Sequence, residues 1–150
     1  NGWSNSKKNI DGINTFTGEK ELTKFLKQVD ILVCMLPLTP KTRGILNFEL
    51  FKKIEKEFCL INVARGEHLV EGDLLKALEK KIIKEATLDV FHIEPLPIKH
   101  PFWKNSKIFI TPHIASLLDP EAGGKEIAKN VNDFLDGKQV ENLIPPGKGY

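Results

Sequence analysis

The sequence predicts an α/β protein with a doubly wound parallel sheet, and three observations favour this fold class. Short apolar segments alternate with amphipathic segments of helical period along the 150 residues. The first apolar segment has no polar alternation, as is typical of parallel strands covered on both faces. Polar side chains suited to catalysis follow these segments, at the carboxyl ends where such sheets bind ligands.

The first third of the chain contains one predicted helix, one predicted strand and the start of a second helix. Residues 19–28 have apolar side chains at helical spacing. Residues 30–36 form an apolar run that Pro37 ends, so we expect a strand covered on both faces. Asn47 is a suitable N-cap for the helix that follows.

Three more strands and two more helices complete the alternation. The strands are predicted at 58–63, 86–90 and 108–111. The helices are predicted at 71–81, with acids early and lysines late, and at 119–137. Because crossovers between parallel strands are right-handed, the ends of these strands should share one edge of the sheet.

Composition and charge exclude several classes of function. A net charge of +2, without a stripe of basic and aromatic residues, argues against nucleic-acid binding. Apolar runs stay far below the roughly 20 residues that cross a bilayer. The absence of a secretory signal at the start predicts a cytoplasmic location. Cys34 and Cys59 lie in apolar runs without metal-binding spacing, so we expect buried free thiols and no metal site.

Three motifs that follow predicted strands carry the chemistry. They are Asn-Val-Ala-Arg-Gly at 62–66, Leu-Asp-Val-Phe-His-Ile-Glu-Pro at 88–95 and Thr-Pro-His-Ile-Ala at 111–115. The guanidinium of Arg65 can bind a carboxylate through two parallel hydrogen bonds. The imidazole of His113 can protonate a carbonyl oxygen near neutral pH. Glu94, as a buried anion beside His113, would hydrogen-bond the imidazole and favour its charged form.

Each of these residues also has a structural interpretation. Arg65 could form a surface ion pair, His113 could be an exposed or capping residue, and Glu94 could fix its proline-containing loop. Arg65 precedes Gly66 at a predicted strand end, which favours the catalytic interpretation of that residue, whereas for Glu94 and His113 this interpretation rests on a resemblance to a known family. The other histidines are expected to face solvent; they are His68, His92 and His100.

The motifs resemble those of the D-2-hydroxyacid dehydrogenase family, most of all its bacterial glyoxylate/hydroxypyruvate reductases. The similarity extends from Gly2-Trp3-Ser4 to Gly149-Tyr150. The resemblance implies hydride transfer between a nicotinamide cofactor and a small 2-oxo or 2-hydroxy acid. It also implies a homodimer, and the catalytic roles of Arg65, Glu94 and His113.

The resemblance further implies a partial Rossmann-type fold. Residues 1–118 would be the C-terminal part of an NAD(P)-binding domain, and 119–150 a helix and tail returning toward a substrate domain. No GxGxxG motif occurs in the 150 residues, and the chain begins with Asn1 rather than Met. We therefore expect a fragment that lacks the first strands and the glycine-rich loop, and that turns over little alone.

The resemblance also implies a set of cofactor contacts. Residues 4–7 would lie at the adenosine ribose. Since this turn holds hydroxyls and lysines but no acid, NADP is favoured over NAD. The full set is Ser4, Asn5, Ser6, Lys7, Leu36, Pro37, Thr42, Ala64, Arg65, Asp89, His113 and Ala115. For Asp89 a structural role is an equal alternative, and residues 36–42 could simply be a proline-rich turn.

Two other functions are open on sequence grounds. The chain could be a non-catalytic, dimerising α/β domain, like the corepressor relatives of this family that bind peptide motifs. It could also be a different Rossmann-like oxidoreductase or a transferase. The joint presence of Arg65, Glu94 and His113 favours the reductase, since a binding domain has no need of all three.

Overall fold

The computed structural model describes residues 1–117 and 119–143, which divide into two compact units. The first unit comprises residues 1–113, and the second begins at Ile114. The first contains six strands: β1 (Gly2–Ser4), β2 (Thr15–Thr17), β3 (Ile31–Cys34), β4 (Phe58–Asn62), β5 (Ile83–Leu88) and β6 (Ile108–Ile110). It also contains the helices α1 (Gly18–Leu26), α2 (Phe48–Phe51) and α3 (Glu71–Glu79). The second unit contains α4 (Pro120–Leu135).

All strands of the first unit run parallel, in two sheets. β1 pairs with β2, and the second sheet has the order β3-β4-β5-β6. The predicted α/β class with a parallel sheet is confirmed. Sequential strands lie side by side in the larger sheet, and β1 and β3 are not paired, so the two sheets are separate among the described residues.

Local sequence accounts for the start of two helices. The side chain of Asn47 accepts a hydrogen bond from the Leu50 amide at 3.0 Å, as expected of an N-cap. The carboxylate of Asp119 accepts one from the Glu121 amide at 3.0 Å at the start of α4. Each cap satisfies an amide that has no partner within its own helix.

The core of the first unit joins the sheet of β3 to β6 to the helices. Its most deeply buried members come from α2, α3 and the central strands, and include Phe51, Phe58, Leu60, Leu74, Ile83 and Leu88.

The prediction that both faces of β3 are covered is wrong. Ile31 and Val33 are 58% and 46% exposed, whereas Leu32 and Cys34 are buried. The register places Val33 on the same face as Phe109, which is also exposed.

The cysteines are free thiols, and Cys34 is buried while Cys59 is partly buried. Burial raises the pKa of the Cys34 thiol. Across the described part of the chain, no helix combines the length and the apolar character that a membrane crossing requires.

Candidate active site

Parallel pairing brings the predicted catalytic residues to one edge of the larger sheet. Arg65 follows β4, Glu94 follows β5 and His113 follows β6. The same edge carries Leu36 and Pro37 after β3. Since ligands of doubly wound sheets bind outside the carboxyl ends of the strands, this edge is the candidate active site.

Glu94 and His113 form a hydrogen-bonded pair. Nδ1 of His113 lies 2.7 Å from Oε2 of Glu94, and the other carboxylate oxygen accepts the Phe91 amide at 2.9 Å. The hydrogen bond from His113, and secondly that from the Phe91 amide, lower the pKa of Glu94 below its ordinary 4.5. The expectation of a buried anion is wrong, because the Glu94 side chain is 36% exposed. Hydrogen bonding rather than burial sets its ionisation.

The backbone of His113 adopts an unusual conformation. Its φ is +55°, in the left-handed region that few residues other than glycine occupy. Such strain is found disproportionately at functional sites, where the surrounding structure maintains it. Because Nδ1 is bound to a carboxylate, it carries a proton, and Nε2 is the ring atom left for chemistry. The side chain is 50% exposed.

The backbone around Arg65 is held by a buried asparagine. Asn62 is fully buried; its Oδ1 accepts the Ala64 amide at 3.2 Å and its Nδ2 donates to the Arg65 carbonyl at 3.1 Å. The Arg65 side chain is exposed, and its Nη1 donates to the Ala64 carbonyl at 2.6 Å. A guanidinium has five N–H donors, so this bond leaves donors for a ligand.

Gly66 sets how closely the loop after β4 approaches the loop after β5. A Cβ at position 66 would lie 2.0 Å from the carbonyl carbon of Phe91. Only glycine permits this approach. Because Phe91 also donates its amide to Glu94, the Arg65 loop and the Glu94–His113 pair are connected through one backbone contact.

Asp89 is almost completely buried, with 2% of its surface exposed. It accepts a hydrogen bond from the Thr111 hydroxyl, and its amide donates to the Asn62 carbonyl at 3.0 Å. These contacts connect the ends of β4, β5 and β6. The sequence allowed two roles for Asp89, a structural one and a contact with the cofactor. Its burial supports the structural role.

The expectation that three histidines face solvent is correct for one of them. His92 is exposed. His68 is fully buried, and His100 is partly buried, with Nε2 3.3 Å from a carboxylate oxygen of Glu71. Sequence reasoning missed both Asn62 and His68 as organisers of the Arg65 loop. Their only sequence signal is that they flank Arg65 within three residues.

The cofactor residues predicted in the first unit are partly brought together. Ser4 ends β1, and Asn5, Ser6 and Lys7 follow on an exposed turn. A cavity of about 730 Å³ between β1 and β3 is lined by Ser4, Leu36 and Pro37 among others. The Ser6 and Lys7 side chains are exposed on the turn, whereas the Ser4 hydroxyl donates to the Ser6 carbonyl at 2.6 Å.

Three other residues predicted to contact the cofactor do not line this cavity. Thr42 donates its hydroxyl to the Pro37 carbonyl at 2.7 Å and accepts the Thr39 amide at 2.8 Å, so it folds its own loop. Ala64 is buried beneath the Arg65 loop. Ala115 belongs to the second unit.

Solved structures of 2-hydroxyacid dehydrogenases superpose closely on this chain. A D-isomer specific 2-hydroxyacid dehydrogenase from Xanthobacter autotrophicus Py2, solved with NADPH and MES, is 40% identical with a TM-score of 0.93, over 99% of this chain and 61% of that one. An NADPH-dependent glyoxylate/hydroxypyruvate reductase from Sinorhizobium meliloti, solved with NADP and sulfate, is 37% identical with a TM-score of 0.93, over 99% of this chain and 48% of that one.

Curated relatives agree with these structures. Glyoxylate/hydroxypyruvate reductase A of Serratia proteamaculans is 46% identical over 148 residues, which are 99% of this chain and 47% of the relative. The chain thus spans about half the length of the curated relatives it matches. Residues 2–115 match the family model of the D-isomer specific 2-hydroxyacid dehydrogenase NAD-binding domain. The chain therefore belongs to the D-isomer specific 2-hydroxyacid dehydrogenase family.

Proposed function

We propose that this chain supplies the catalytic residues of an oxidoreductase that reduces glyoxylate or hydroxypyruvate to the 2-hydroxy acid with NADPH. The observation that carries the proposal is the 2.7 Å pair of Glu94 and His113 at the sheet edge, beside the loop that carries Arg65. The substrate class is that named for the relatives from Serratia and Sinorhizobium.

In the proposed reaction, Arg65 binds the substrate carboxylate and orients the adjacent carbonyl. When bound, NADPH would supply the hydride, with its two electrons, for the carbonyl carbon. His113 donates the proton from Nε2 to the carbonyl oxygen, so that a C–H and an O–H bond replace the carbonyl π bond. Glu94 holds the imidazole through Nδ1 and stabilises its charged form before the proton leaves.

The proposed cofactor preference depends on the turn after β1. Ser4, Ser6 and Lys7 would bind the 2'-phosphate of NADPH, and an acidic residue that would select NADH is absent from residues 4–8. Two solved relatives that contain NADPH or NADP support this preference. Comparable or higher kcat/KM with NADH would contradict it.

The test of the proposed function is the substitution His113→Ala. The assay uses this chain and a chimera in which it replaces the matching 148 residues of the Serratia relative. We expect reduction of glyoxylate by the chimera to fall by about 10²- to 10⁴-fold, the usual contribution of a general acid. His92→Ala, which changes an exposed histidine, is the matched control.

An unchanged rate in the His113→Ala chimera would contradict catalysis and favour the non-catalytic binding domain. We further propose that the chain alone turns over little and that the protein functions as a homodimer, as the family resemblance implies. Light scattering coupled to gel filtration measures the second point. The cytoplasmic location stays a prediction.

A further inference from the structure

His68 is the most deeply buried titratable ring of the first unit and has no part in the proposed proton transfer. Its exposed fraction is 0%. It ends the short 3₁₀ turn Gly66–His68 that follows Arg65. A buried imidazole needs partners for both ring nitrogens, since an unsatisfied polar atom in the core is destabilising.

The two ring nitrogens of His68 contact two different loops. Nδ1 lies 3.2 Å from the amide nitrogen and 3.1 Å from the carbonyl oxygen of Arg65. Nε2 lies 3.3 Å from the carbonyl oxygen of Pro37, in the loop after β3. Because the Arg65 amide can only donate, Nδ1 accepts it, and in the neutral ring the proton is then on Nε2, which donates to the Pro37 carbonyl.

The backbone of His68 makes a second connection between the same loops. Its carbonyl accepts the Leu46 amide at 2.9 Å, and the neighbouring Glu67 carbonyl accepts the Gly44 amide at 2.8 Å. On the other side, the Pro37 carbonyl also accepts the Thr42 hydroxyl at 2.7 Å. His68 is therefore built into the turn at 37–42 as well as into the Arg65 loop.

We propose that His68 is a positioning residue that sets Arg65 against the loop at residues 36–42. This inference rests on the proposed function, in which Arg65 binds the substrate, and on the family resemblance, which implies that the loop at residues 36–42 contacts the cofactor. The two halves of the ring act separately: Nδ1 orients the backbone of the substrate-binding arginine, and Nε2 orients the cofactor loop. In this proposal, His68 acts through the backbone of these two loops.

Two conservative substitutions separate these halves. Asparagine places an acceptor near the position of Nδ1, and glutamine places a donor near the position of Nε2. In the chimera, His68→Gln should raise the KM for glyoxylate by about fivefold, the effect of one hydrogen bond, and leave the KM for NADPH within about twofold. His68→Asn should raise the KM for NADPH by about fivefold and leave the KM for glyoxylate within about twofold. His68→Leu should raise both KM values. The control is His100→Gln, which changes a partly buried histidine whose Nε2 lies 3.3 Å from a carboxylate oxygen of Glu71.

A readout without turnover distinguishes failure of this inference from failure of the proposed function. Nitrogen NMR of the unsubstituted chain should show His68 as a neutral ring protonated at Nε2. Hydrogen exchange of the Arg65 amide should be slow in the unsubstituted chain and in His68→Asn, and at least about tenfold faster in His68→Gln and His68→Leu.

A proton on Nδ1, or equal exchange of the Arg65 amide in the three variants, would overturn the inference whatever the enzyme reduces. His68→Asn and His68→Gln could also change both KM values equally and lower thermal stability by the same amount. That result would overturn the inference, because it would indicate that His68 has only a structural role. The expected amide exchange without measurable reduction would overturn the proposed function and leave the His68 contacts established.

Discussion

The α-carbon of Gly66 lies against the peptide that joins Phe91 to His92. A Cβ built on residue 66 would lie 2.0 Å from the Phe91 carbonyl carbon and 2.5 Å from the His92 nitrogen. These atoms belong to backbone, so they cannot rotate away as a flexible side chain could. The contact fixes the separation between the loop carrying Arg65 and the loop carrying Glu94.

Gly66→Ala should destabilise the first unit. The added methyl must push one loop from the other, and overpacking of this kind costs about 1–3 kcal/mol. Urea unfolding followed by circular dichroism measures the change. Gly72→Ala is the control, because a Cβ at that helical position meets no atom within 4 Å. It should stabilise the chain by about 0.5–1 kcal/mol. Equal stability of the two variants would refute the packing argument.

Arg65→Lys should weaken substrate binding more than it lowers the stability of the protein. Lysine keeps the charge but lacks the planar fork that binds a carboxylate through two bonds. We expect the KM for glyoxylate in the chimera to rise by about 10- to 100-fold, since charge-assisted hydrogen bonds contribute about 1.5–3 kcal/mol. Arg43→Lys, at a mostly exposed arginine near Glu67, should leave it unchanged. A KM insensitive to both changes would exclude Arg65 as the carboxylate ligand.

Glu94→Gln should weaken the dependence of stability on acid pH. Glu94 has a lower pKa in the folded chain than its ordinary 4.5, so the unfolded chain binds more protons. The stability that ionised Glu94 contributes is present above pH 4.5 and is lost as the pH falls through the pKa of Glu94 in the folded chain. Because the side chain is 36% exposed, the effect should not exceed about 1 kcal/mol. The urea midpoint, measured between pH 6 and about pH 3, should fall less steeply for the variant than for Glu19→Gln. Identical slopes would show that the Glu94–His113 bond is not formed in solution.

Lys7→Ala should reduce the preference for NADPH. Lys7 is exposed on the turn after β1, where the proposal places the 2'-phosphate. Loss of one exposed ion pair corresponds to about a fivefold fall in the ratio of kcat/KM for NADPH to that for NADH. The rate with NADH should stay the same. Lys20→Ala, which removes an exposed lysine of α1, serves as the control. An unchanged ratio would place the phosphate elsewhere.

The parallel sheet and the loops that carry the candidate site were predictable from the sequence. The period of apolar residues, and the position of polar residues after a predicted strand, can both be read from neighbouring residues. Asn47 shows this for a helix start, and the placement of Arg65, Glu94 and His113 after three strands shows it for the site. The failures concern solvent exposure. Glu94 was expected to be buried and is exposed, and His68 was expected in solvent and is buried.

Sequence by itself determined the family, the parallel α/β class and the three catalytic candidates, because motif spacing and apolar periodicity are written in neighbouring residues. Tertiary structure alone decided that the Glu94 carboxylate contacts the His113 imidazole, that Gly66 meets Phe91, and that His68 connects Pro37 to Arg65. These contacts join residues 19 to 31 positions apart, apart from the local His68–Arg65 contact. Their geometry depends on sheet register and loop packing, which the linear order of residues does not specify.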